Sequence, residues 1–253
     1  MTKKKLFMLL SLLLVVFVVS FGIYKTTYKE EFNYVALGDS LAAGRNPYGV
    51  DDYGYTDYIR DFLKRENKLQ SYYSYAVSGY KIDDVKNDIL YGKSTTNNNE
   101  SINIKKALRE SDLVTISIGA NDILSKINLS NLSNSLQDVN TMMSYLDEAL
   151  TKINELITLI KQYAKRDIIV IGYYNPLPSL EQYEIAIDTI ISYVDMEYSS
   201  LCEKRGVHYV QISDDMKMHN DYLPNPNDIH PGREGYKVIS DEVIKVIKQH
   251  IFD

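Results

Sequence analysis

A serine at a turn, a glycine, a side-chain amide and a late histidine are the residues whose types and order in this chain could carry out acyl transfer. After the apolar run Tyr34–Leu37 the chain reads Gly38-Asp39-Ser40-Leu41-Ala42-Ala43-Gly44, so Ser40 stands where an extended segment gives way to a helix. A hydroxyl is a weak nucleophile until a base takes its proton. The first turn of a helix offers unpaired N–H groups and a favourable dipole to the oxyanion that follows attack. On its own the triplet is also an ordinary helix cap, because Asp and Ser are both common there. Gly79, in Ala76-Val77-Ser78-Gly79, lets a backbone N–H approach a ligand without a Cβ in the way, and alone it is an ordinary turn glycine. Asn121, in Gly119-Ala120-Asn121-Asp122, can project a neutral donor over a sheet edge. Alone, it too is a common cap or turn residue. Asp122 reads as a helix cap rather than a titrating group. His230 lies in Asn225-Pro226-Asn227-Asp228-Ile229-His230-Pro231, directly ahead of the last amphipathic stretch. The other three histidines fall in a predicted strand (His208), a polar loop (His219) and the terminal turn (His250). A lone histidine is more often a satisfied or surface residue, so the combination carries the argument.

The elements that must position these residues follow from periodicity. From Asn33 onward short β-rich runs alternate with longer amphipathic stretches, the signature of repeated βα units, an α/β class and a parallel sheet. Strands are predicted at Tyr34–Leu37, Tyr72–Ala76, Leu113–Ile118, Ile168–Ile171 and His208–Ile212. Apolar residues at helical spacing over Leu132–Lys165 predict one long helix or two in series. Tyr183–Arg205 and Arg233–Phe252 are further helices. The polar stretch Ser94–Ser101 and the proline-containing Tyr173–Leu180 read as loops. No internal repeat and no second domain are evident. An open parallel sheet binds its ligand at the carboxyl ends of its strands, which is where Ser40, Gly79 and Asn121 fall.

Ser, Gly, Asn and His in this order, each at a strand end or in the final loop, resemble the four sequence blocks of the GDSL (SGNH) hydrolase family over Tyr34 to the C-terminus. The resemblance implies a flavodoxin-like three-layer α/β/α sandwich with a parallel five-stranded sheet. It also implies that Ser40 is the nucleophile and His230 the general base, with the Ser40 N–H, the Gly79 N–H and the Asn121 amide forming the oxyanion hole. One position departs from the family pattern. The family acid usually lies three residues before the histidine, where this chain has Asn227, and the nearest carboxylate, Asp228, is two before. Asp228 is the favoured catalytic acid, since an anion beside the ring stabilises the imidazolium formed during attack. The alternative is that a backbone carbonyl or the Asn227 side chain orients the ring while Asp228 braces the loop.

Composition bounds the remaining classes. The chain has 253 residues, 45% of them hydrophobic and 25% charged, which suits one sizeable globular domain. Its single cysteine, Cys202, excludes an internal disulfide, and no Cys/His spacing resembles a zinc site. Residues 1–28 hold four lysines and no acid, so subtracting their charge from the net −6 leaves −10 on the rest, a poor match for nucleic acid. No G-x-S-x-G, G-x-x-x-x-G-K-[ST] or G-x-G-x-x-G motif occurs, and no cofactor is expected. A carboxylate at Asp39 disfavours a nucleotide or flavin in the first loop.

The uncharged run Leu6–Tyr24 is long enough as a helix to span the roughly 30 Å hydrocarbon core. Lys3, Lys4 and Lys5 before it, against Lys25 after it, favour a cytoplasmic start. The expected organisation is a basic start at 1–5, a membrane anchor at 6–24, a tether at 25–32 and a hydrolase domain at 33–253 facing outward. A cleaved signal peptide is the rival reading. The expected function is an extracytoplasmic serine esterase or lipase acting on an acyl ester: a short-chain lipid, a lysophospholipid or an O-acylated wall glycan. The alternative is a catalytically inactive surface-binding module on the same fold.

Overall fold

The structure, a computed structural model, describes residue 14 and residues 31–97, 100–127 and 139–252. Among these residues no helix is long and apolar enough to cross a membrane. The run Leu6–Tyr24 lies, apart from Leu14, outside them. Phe32–Asp253 forms one compact unit.

Five parallel strands build the main sheet: β1 (Phe32–Gly38), β2 (Leu69–Ser74), β5 (Leu113–Ser117), β6 (Asp167–Ile171) and β7 (His208–Val210), in the order β2-β1-β5-β6-β7. β1 takes in Phe32, a residue assigned above to the tether, because its side chain is buried in the core. β2 begins three residues earlier than its apolar pattern predicts and ends at Ser74. It is an edge strand whose residues are only partly buried, so the hydrophobic signal that locates a strand is weak there. The polar stretch read as a loop is instead an antiparallel hairpin, β3 (Ser94–Asn97) with β4 (Glu100–Asn103). Main-chain pairing holds these polar residues extended, and the one buried apolar residue of the pair, Ile102, is too slight a pattern to announce a strand.

Alternation along the strands divides the core into two layers. In β1, Val35 and Leu37 pack on one face while Phe32, Tyr34 and Ala36 pack on the other. β5 and β6 repeat the alternation with Val114, Ile116, Ile168 and Val170 against Leu113, Ile169 and Ile171. The first face is covered by α3 (Ile82–Tyr91), α4 (Ile104–Glu110), α6 (Val139–Ile160) and α7 (Glu184–Arg205). The second is covered by α2 (Tyr55–Arg65) and α9 (Arg233–His250). Short helices α1 (Ser40–Ala43), α5 (Ala120–Leu124) and α8 (Ser213–Met216) follow β1, β5 and β7. The long periodic stretch is helical over Val139–Ile160, and its predicted beginning lies outside the described residues. Strand order reverses at β1, which connects onward to β2 on one side and pairs with β5 on the other. That reversal opens the sheet at the carboxyl ends of β1 and β5.

Candidate active site

Ser40 is the first residue of α1, immediately beyond the end of β1. Gly38 makes this junction possible: its φ is +141°, and a Cβ there would lie 2.1 Å from the Ser117 carbonyl oxygen of β5. Asp39 caps α1, its Oδ1 accepting the Leu41 N–H at 3.0 Å. Burial pushes the Asp39 carboxyl up to about 7, while the Leu41 N–H pulls it back down.

The final loop brings the histidine to the serine across 190 residues of sequence. His230 Nε2 lies 2.8 Å from Ser40 Oγ, and its Nδ1 lies 2.6 Å from Asp228 Oδ1. The same Asp228 oxygen accepts the His230 backbone N–H at 2.8 Å. One carboxylate oxygen two residues back thus meets both the main chain and the ring of His230, an Asx-type turn. Asn227, one residue earlier, is exposed, and among the described residues it offers only its backbone N–H, donated to Asn225 Oδ1 at 3.1 Å.

Two residues that the motif reading did not single out hold this loop. Asn225 donates from Nδ2 to the Pro47 carbonyl at 2.7 Å, and its own carbonyl accepts the Asp228 N–H at 3.0 Å. Tyr174 donates its hydroxyl to the Ile229 carbonyl at 2.7 Å. Burial raises the Tyr174 phenol well above its ordinary range, so it stays a donor. The Asn-Pro-Asn run was the available signal for Asn225; nothing in sequence marks Tyr174, because its partner is 55 residues away.

Asn121, in α5, donates from Nδ2 to the Tyr80 carbonyl at 2.9 Å, which fixes the amide and leaves its second N–H available. Asp122 does cap a helix, but not its own: Oδ2 accepts the N–H of Ile82, the first residue of α3, at 2.9 Å. Lys152 Nζ approaches its other oxygen at 3.7 Å. The bonds to Tyr80 and Ile82 tie the Asn121 segment to the Gly79 segment, and Lys152 joins it to α6. Gly79 itself sits in a turn closed by the Tyr80 N–H on the Val77 carbonyl, with φ +87°. A Cβ on Gly79 would meet nothing within 4 Å, so this backbone conformation, rather than a need for space, is what favours glycine. Neither the Ser40 N–H nor the Gly79 N–H donates to a protein acceptor among the described residues. Ser40, Asn121 and His230 line one cavity of about 160 Å³ together with Asp39, Ser117 and the β6–α7 loop. Gly79 is exposed and is not part of that lining.

A hydroxyl bonded to an imidazole that is bonded in turn to a carboxylate can be deprotonated as it attacks a carbonyl, and free N–H groups nearby can receive the resulting oxyanion. The model of the GDSL-like lipase/acylhydrolase family matches residues 36–238. The chain belongs to the GDSL-like lipase/acylhydrolase family. Its class within that family is a serine ester hydrolase. Among curated proteins it is similar to the protein YpmR of Bacillus subtilis (strain 168), 22% identical over 231 residues that cover 89% of this chain and 85% of that one. The fold is similar to that of the lipase Lip_vut3 from a goat rumen metagenome, with a TM-score of 0.66 and 19% identity over 84% of this chain and 95% of that one. It is also similar to Axe2, an acetylxylan esterase from Geobacillus stearothermophilus, with a TM-score of 0.60 and 17% identity over 87% and 95% of the two chains. With these two enzymes the present chain shares its fold.

Proposed function

We propose that this chain hydrolyses carboxylic esters through an acyl-enzyme formed on Ser40, and that it does so outside the cytoplasm on a membrane tether. The observation that carries the catalytic reading is the continuous array Ser40 Oγ–His230 Nε2 at 2.8 Å and His230 Nδ1–Asp228 Oδ1 at 2.6 Å. With Nδ1 donating to Asp228, Nε2 presents its lone pair to the serine hydroxyl. Ser40 Oγ attacks the ester carbonyl as Nε2 takes its proton. The Ser40 and Gly79 N–H groups and the free Asn121 N–H receive the oxyanion, each such donor being worth about 3 kcal/mol. Collapse expels the alcohol, which leaves with the proton from Nε2. Water, deprotonated by the same nitrogen, then attacks the acyl-enzyme, releasing the acid and restoring Ser40. The tether reading rests on the uncharged run Leu6–Tyr24 and the three lysines before it.

The test is a fluorophosphonate label combined with Ser40→Ala. Wild type should be labelled at Ser40 and should hydrolyse a p-nitrophenyl acyl ester. Ser40→Ala should lose both properties, with an unchanged circular dichroism spectrum and a rate fall of many orders of magnitude. Activity within about tenfold of wild type would reject Ser40 as nucleophile. An unlabelled wild type would instead favour the inactive binding module.

A further inference from the structure

Ester hydrolysis needs a nucleophile, a base and oxyanion donors, and none of these calls for the wall that adjoins them here. Beyond Ser40 and His230 the same cavity is lined by Ile123 of α5, Met142 and Leu146 of α6, and Ile187, Ile191 and Val194 of α7. Met142 and Leu146 are four residues apart, and Ile187, Ile191 and Val194 follow at four and three. Each helix therefore turns one apolar stripe toward the space. Five of these six side chains are buried, and Met142, Leu146 and Val194 belong to the main core cluster, so the cavity runs from the serine into the interior between α6 and α7. Tyrosines aside, the ionisable groups on the lining are Asp39, which adjoins Ser40, and His230, which touches it. The two tyrosine hydroxyls, of Tyr173 and Tyr174, already donate to the carbonyls of Ile118 and Ile229. The interior end thus presents hydrocarbon to whatever enters it.

We propose that this cavity is an acyl-chain pocket that selects esters of medium-length fatty acids over acetyl esters, with Met142, Leu146 and Val194 setting the preferred length. The inference rests on the ester-hydrolase reading above and makes it more specific. An acetyl group would end near Ser40 and leave the stripes of α6 and α7 uncovered, whereas a longer chain covers them. Each methylene moved from water onto apolar surface is worth roughly fourfold in binding, equivalent to about 0.8 kcal/mol. Contacts kept through the transition state appear in kcat/KM.

The test is a series of p-nitrophenyl esters from acetate to dodecanoate, read as kcat/KM on the full chain. Wild type should favour octanoate over acetate by at least about thirtyfold, well inside the ceiling that six methylenes allow. Val194→Phe and Leu146→Phe, which fill the interior end, should lower kcat/KM for octanoate by about tenfold or more while leaving acetate within about threefold. Met142→Ala, which lengthens the space, should shift the optimum toward longer esters. Acetate turnover and fluorophosphonate labelling of Ser40 report that each variant is folded, and the wild-type profile alone decides the question if the filled variants do not fold. A flat profile or a preference for acetate, with Ser40 labelled, would overturn the pocket and leave the ester-hydrolase reading standing. Equal losses on acetate and octanoate in the labelled variants would also overturn it. If wild type hydrolyses no ester and Ser40 stays unlabelled, both readings fall.

Discussion

The Asp228 carboxylate reaches the imidazole from two residues back because its Oδ1 folds over the His230 N–H and meets Nδ1 in the same movement. The spacing departs from the family's usual three, yet the turn supplies an anion at the nitrogen where one is needed. Asn227, at the usual position, is exposed and makes no hydrogen bond to His230. Asp228→Asn should therefore keep the fold and lower kcat strongly, because the ring loses the anion that fixes its tautomer and stabilises its charged form. In a protease triad the comparable change cost about 10⁴ in kcat. Asn227→Ala should change kcat by less than about threefold on the same reasoning. Steady-state kinetics on both variants settle the assignment, and a loss under about fivefold for Asp228→Asn would reject Asp228 as the orienting acid.

The junction of β1 and α1 carries a different burden. Asp39 caps α1 from a nearly solvent-free position, 4% exposed, and burial holds its carboxyl at about 7 against an ordinary 3.8. The unfolded chain releases this proton near the lower value and the folded chain near the higher. Between them the native state binds the extra proton, so stability falls as pH rises from about 4 to about 7 and levels beyond. Asp39→Asn keeps an oxygen to accept the Leu41 N–H and removes the ionisation. Its stability relative to wild type should therefore increase across that window, by up to about 4 kcal/mol. Urea unfolding of both proteins at pH 5 and pH 8 measures this, and an equal difference at the two pH values would contradict it. The same junction shows why the triplet is legible as a motif. Gly38 is required by the Ser117 carbonyl and Asp39 by the cap, so two of its three residues answer to local geometry and Ser40 is free to face the cavity.

At the scale of the whole molecule, Phe32–Asp253 is a self-contained unit, with its two core layers on either side of the sheet. If the run Leu6–Tyr24 anchors this unit, the full-length chain should stay in the membrane fraction and resist carbonate extraction, and its folded unit should be open to protease added from outside. A mature N-terminus near Thr26, found by mass analysis, would show cleavage instead.

Periodicity and turn chemistry are local, and they suffice for the alternating βα order, the five strands of the main sheet and the long helices, while the four blocks were legible through their resemblance to a known family. The order β2-β1-β5-β6-β7 and the joining of Ser40 to His230 required the closed sheet, because parallel pairing and a contact across 190 residues leave no trace at neighbouring positions. The β3–β4 hairpin escaped notice because its stability lies in main-chain pairing rather than in an apolar pattern. That Asp228 rather than Asn227 lies against His230 Nδ1 depends on which way a turn folds, and the apolar stripe beside Ser40 on how α6 and α7 pack. Residue types determine what chemistry is available, and only the packed chain decides which atoms are close enough to perform it.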